Sequence, residues 1–85
     1  MNQNRDLIME LNEAKRLFDE GVFVRAVIVR VPMGDGYHLE LFRKGGKSAE
    51  TVERQRGGFR VFATIDAAVA SAEAIGFRQV EVSLQ

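Results

Sequence analysis

The chain contains no cysteine, which excludes disulfides and thiolate metal sites. That is compatible with a reducing compartment, and a cytoplasmic protein is the expectation. There is no tryptophan, so the aromatic part of any core rests on six phenylalanines and one tyrosine. No apolar run approaches membrane-spanning length, and the opening Met-Asn-Gln-Asn-Arg-Asp lacks a secretory apolar region, so no membrane partner is expected. Net charge is zero, whereas a strong nonspecific nucleic-acid binder usually carries a basic excess. The single histidine, His38, has no cysteine to work with, and Ser48, Ser71 and Ser83 lie in no nucleophile-elbow pattern. The carboxylate pairs Glu10/Glu13 and Asp19/Glu20 have the spacing of solvated helix faces. Gly34-Asp-Gly36 and Gly45-Gly46-Lys47-Ser48 begin or end like nucleotide-binding loops but lack the required spacing and the following helix. The expectation is a protein that is not an enzyme and needs no cofactor or metal.

What is present is most legible in the last third. Thr64 has the chemistry of a helix N-cap, and Asp66 places a negative charge at the positive end of the dipole. Ile65, Ala68, Val69, Ala72 and Ile75 recur at helical spacing, and Gly76 suits the position just past a helix end. Val80, Val82 and Leu84 then alternate with Gln79, Glu81 and Ser83, the pattern of a half-buried strand.

Upstream, the stripe Leu7, Leu11, Ala14 and Phe18, widened by Ile8 and Leu17, predicts a helix over residues 5–19 that stops at Gly21. Residues 22–31 are rich in β-branched side chains, apolar on both faces, and read as a central strand with Phe23, Val27, Val29 and Val31 on its second face together with Arg25. Pro32 to Gly36 is a turn, and residues 37–44 are the return strand, with Phe42 on the same second face as Phe23. Glu50 to Arg54 reads as a short polar edge strand, and Phe59 to Phe62 as a further short strand. The expected fold is α+β: one domain over residues 1–85, an antiparallel sheet of three to five strands with two helices packed on one face, in the order α-β-β-β(-β)-α-β. The sequence shows no internal repeat or dividing linker.

Charge is uneven along the chain. Residues 43–60 hold Arg43, Lys44, Lys47, Arg54, Arg56 and Arg60 against Glu50 and Glu53, a local excess of +4. Arginine forks match phosphate oxygens and glycines admit a close backbone approach, so these six are the candidate nucleic-acid contacts, chiefly to DNA phosphates. The competing expectation is a protein–protein adaptor or inhibitor acting through a sheet edge or a helix. Phe23 and Phe42 on one face suggest a homodimer interface.

Tyr37-His-Leu-Glu-Leu41, Gln55-Arg-Gly-Gly-Phe-Arg-Val-Phe62, Thr64-Ile-Asp-Ala-Ala68 and Ile75-Gly-Phe77 resemble small plasmid-borne partition or stability accessory proteins of the ParC type, over roughly residues 22–84. The resemblance implies a bacterial mobile-element setting and a non-enzymatic role, and carries no functional residue with it. The helix and strand order also resembles the double-stranded RNA-binding fold. That family places lysines at the start of its last helix, where this chain has Ile65-Asp-Ala-Ala, which argues against RNA-duplex binding.

Overall fold

The computed structural model describes residues 8–32, 34–46, 49–53 and 61–84. Seven elements follow in order: β1 (Ile8–Glu10), α1 (Leu11–Asp19), β2 (Phe23–Arg30), β3 (Tyr37–Arg43), β4 (Ala49–Glu53), α2 (Ile65–Ile75) and β5 (Glu81–Ser83). The class is α+β, as the patterning predicts, with a five-stranded sheet in the order β1-β4-β3-β2-β5.

The sheet is mixed, which corrects the expected antiparallel meander. β2 and β3 pair antiparallel, as do β3 and β4, but β1 lies parallel to β4 and β5 parallel to β2. β3 is therefore the one described strand that runs against the others. β1 passes through α1 to β2, and β4 passes through α2 to β5. Both crossovers step the same way across the sheet between parallel strands, and crossovers of one hand then put both helices on one face.

Three local expectations change for physical reasons. Residues 8–10 fall inside the expected helix but form β1, because pairing with Thr51, Val52 and Glu53 satisfies their backbone in the sheet. β4, expected at an edge, is interior, between β1 and β3. The expected strand 59–62 falls partly outside the described residues. Within them, Phe62 makes an isolated bridge to Tyr37, with N–H···O distances of 2.9 Å in both directions.

The core lies between the helices and one face of the sheet. Ile28, Leu39, Leu41 and Val52 meet Ala14, Ala68, Ala72 and Ile75 there, all fully or almost fully buried. Alanine at these helix positions lets α1 and α2 approach closely. α2 begins as predicted, with the Ala67 amide donating to Thr64 Oγ at 3.1 Å. It ends at Gly76, whose φ of 133° suits glycine and whose amide donates to the Ala72 carbonyl. A Cβ at Gly76 would stand 2.5 Å from the Phe18 ring. Phe18 in turn packs on Phe77, with ring centroids 4.7 Å apart. One glycine thus ends α2 and leaves room for the aromatic contact between the ends of the two helices.

Candidate interaction surface

The second face of the sheet is free of helices among the described residues. Alternation places Arg25, Val27 and Val29 of β2, His38, Glu40 and Phe42 of β3, Thr51 of β4 and Glu81 of β5 on it. A β-bulge decides which residues these are. The register between β2 and β3 shifts between Phe23 and Arg25, so Phe23 opposes Arg43 while Arg25 opposes Phe42. The extra residue turns Phe23 onto the helix side. There it is 4% exposed and part of the core, which removes it from the expected dimer interface.

Phe42 stays on the helix-free face, as the alternation predicts, but it does not stand open. The Arg25 guanidinium lies over its ring, 4.5 Å from the centroid. Arg25 also pairs with Glu81 across to β5, Nε to Oε2 at 3.0 Å, in a half-exposed contact. Glu81, Arg25 and Phe42 therefore form a row across three strands. Beside it, Val29, Arg30, Pro32, His38, Glu40 and Thr51 line a surface groove of about 430 Å³. The row was not anticipated from sequence. Its one signal there was an arginine alternating in phase with the apolar side chains of the second face.

The six basic candidates do not come together as one described patch. Lys47, Arg54, Arg56 and Arg60 lie outside the described residues. Arg43 is engaged: its guanidinium forks onto the Glu50 carboxylate through Nε to Oε2 and Nη2 to Oε1. It also lies 5.7 Å from the centre of the Phe23 ring. Glu50 is buried on the core side of β4, so Arg43 neutralises a charge inside the fold. Lys44 follows β3, exposed, with its amide donating to the Val22 carbonyl.

Among the described residues no three histidine, aspartate or glutamate side chains gather in a way that could hold a metal. Among them, no helix is long and apolar enough to cross a membrane. Comparison with protein families, with curated proteins and with solved structures finds no match to the chain.

Proposed function

We propose that the chain is a small non-enzymatic binding module that holds a protein partner on the helix-free face of its sheet. The observation that carries this reading is the character of that face. It combines Arg25 stacked on Phe42, the half-buried Val29 over a buried Val27, a groove, and charges of both signs in Arg25, Glu40 and Glu81. A central aromatic and an arginine amid mixed polar groups are the ingredients of a protein interface. A bacterial mobile-element setting, as the ParC-type resemblance implies, fits such an accessory role, and the absence of cysteine is compatible with a cytoplasmic one.

The second reading is nucleic-acid contact through residues 43–60. The exposed Lys44, one residue from Arg43 and two from Phe42, favours it, as does the local excess of +4. The engagement of Arg43 by Glu50 counts against it.

A photo-crosslinking residue placed in turn at Glu40, Thr51 and Lys44, with Asn12 and Glu73 as helix-side controls, separates the readings in cells of a plasmid-bearing host. Protein adducts at positions 40 and 51 but not at 12 and 73 support the protein partner. Nucleic-acid adducts at 44 would transfer the function to the basic segment. Equal labelling at all five positions would remove both.

A further inference from the structure

The outer edge of β5 ends the sheet, and its chemistry matches a second copy of itself. Val31 donates its amide to the Gly36 carbonyl at 3.0 Å. Odd-numbered residues in this half of β2 therefore turn their backbone groups toward β3, and Ile28 turns its own toward β5. Ile28 is aligned with Val82. In a parallel ladder of that phase, Glu81 and Ser83 supply the backbone groups that bond to β2. Val82 presents its N–H and C=O outward, and a continuation of the strand by one residue at each end would give Val80 and Leu84 the same phase.

The side chains agree with this edge. Val82 stands beside the fully buried Ile28 on the helix side of the sheet, yet is 43% exposed, and Leu84 is 60% exposed. The edge has no proline, lysine or bulge to keep it from pairing; its protection is limited to its shortness and the one exposed charge of Glu81, which lies on the helix-free side.

We infer that two copies of the chain join antiparallel through β5, with Val82 opposite Val82 of the second copy on a twofold axis. This register sets Val80 against Leu84 and Glu81 against Ser83. All three outward-facing residues then find partners. The apolar side chains meet on the helix side, and no glutamate faces a glutamate. A register centred on Glu81 would place two carboxylates opposite one another. A register centred on Ser83 would leave Val80 without a partner in β5 of the second copy.

Antiparallel pairing about such an axis preserves the faces of the sheet, so the pair is one ten-stranded sheet with all four helices on one side. The two helix-free faces become a single continuous surface. The inference does not depend on which partner that surface takes. The strand is short, which holds affinity to a dissociation constant on the order of 10–100 μM.

Sedimentation equilibrium across that range tests it with two proline variants. Val82→Pro removes an outward amide, so it should abolish the dimer and leave thermal unfolding of the monomer nearly unchanged. Ser83→Pro removes an amide that bonds to β2, so it should lower the unfolding temperature instead. Because the chain has no cysteine of its own, mixing Glu81→Cys with Ser83→Cys protein under mild oxidation reads the register. The mixed disulfide should form, and neither variant should crosslink to itself. A wild-type monomer at several hundred micromolar overturns the inference, as does a dimer that survives Val82→Pro or crosslinking of Ser83→Cys to itself.

Discussion

Arg43 and Glu50 face each other across β3 and β4 as a two-pronged ion pair, with the carboxylate buried and the guanidinium half exposed. The arginine that charge counting assigns to a phosphate is spent on the protein's own glutamate. Arg43→Ala should therefore destabilise the fold by about 2 kcal/mol, because it leaves a buried carboxylate unpaired. Urea unfolding measures this, and adding Glu50→Gln to Arg43→Ala should recover part of the loss. A neutral result for Arg43→Ala would free the residue for an outside ligand.

Phe23 and Phe42 should separate under substitution. Phe23 is buried in the core, and Phe23→Ala should cost roughly 3–5 kcal/mol. Phe42 lies on the helix-free face under Arg25, and Phe42→Ala should cost much less, about 1 kcal/mol. It should also leave self-association unchanged, because β5 lies two strands away from β3. Sedimentation of Phe42→Ala that shows a lost dimer would move the interface to the helix-free face.

Gly76→Ala should be among the most damaging single-methyl changes in the chain. It forces a side chain into φ 133° and drives its Cβ against the Phe18 ring. A loss of about 3 kcal/mol is expected from the two effects together. In a Phe18→Leu background the additional cost of Gly76→Ala should shrink, because only the steric part is relieved. A double-mutant cycle on unfolding free energies reads that coupling.

Thr64→Ala should cost about 1 kcal/mol by orphaning the Ala67 amide at the start of α2. Thr64→Ser should be nearly silent. Equal losses for both would mean that the threonine methyl, and not its hydroxyl, is what matters.

The parts of the fold that were legible are those decided by neighbours in sequence. Thr64, the alternation of small and apolar residues after it, and Gly76 define α2 through rules that act within a few residues. Leu39 and Leu41 reach the core face as their alternation predicts. What was illegible depends on distant partners. Residues 8–10 read as helix because Leu7 and Ile8 share a helical stripe with the apolar residues of α1, and only β4, some forty residues later, makes 8–10 a strand. The edge position of β5 follows from strand order, which no local pattern encodes. So Val82 and Leu84 read as half-buried while the structure leaves them open. The candidate interface turned on a smaller matter: one extra residue in β2 moved Phe23 to the helix side while Arg25 kept the face that alternation gives it, and strict alternation has no means of registering a bulge.

The interlaced strand order also governs how the chain reaches its shape during synthesis. β1 comes before the other described strands in the chain, yet its neighbour in the sheet is β4. β2 is not flanked on both sides until β5, which follows α2, arrives. A growing chain that has emerged only as far as β3 holds one hairpin and a helix, with no partner for β1 and nothing from α2 to complete the core. Assembly of the sheet must therefore wait for β4 and β5, and it proceeds through long-range pairings that slow it relative to a helical bundle of similar size. Losing only the residues after Gln79 would leave one side of β2 bare. The same short strand that offers the chain a means of self-association is thus also the piece whose late arrival closes the sheet.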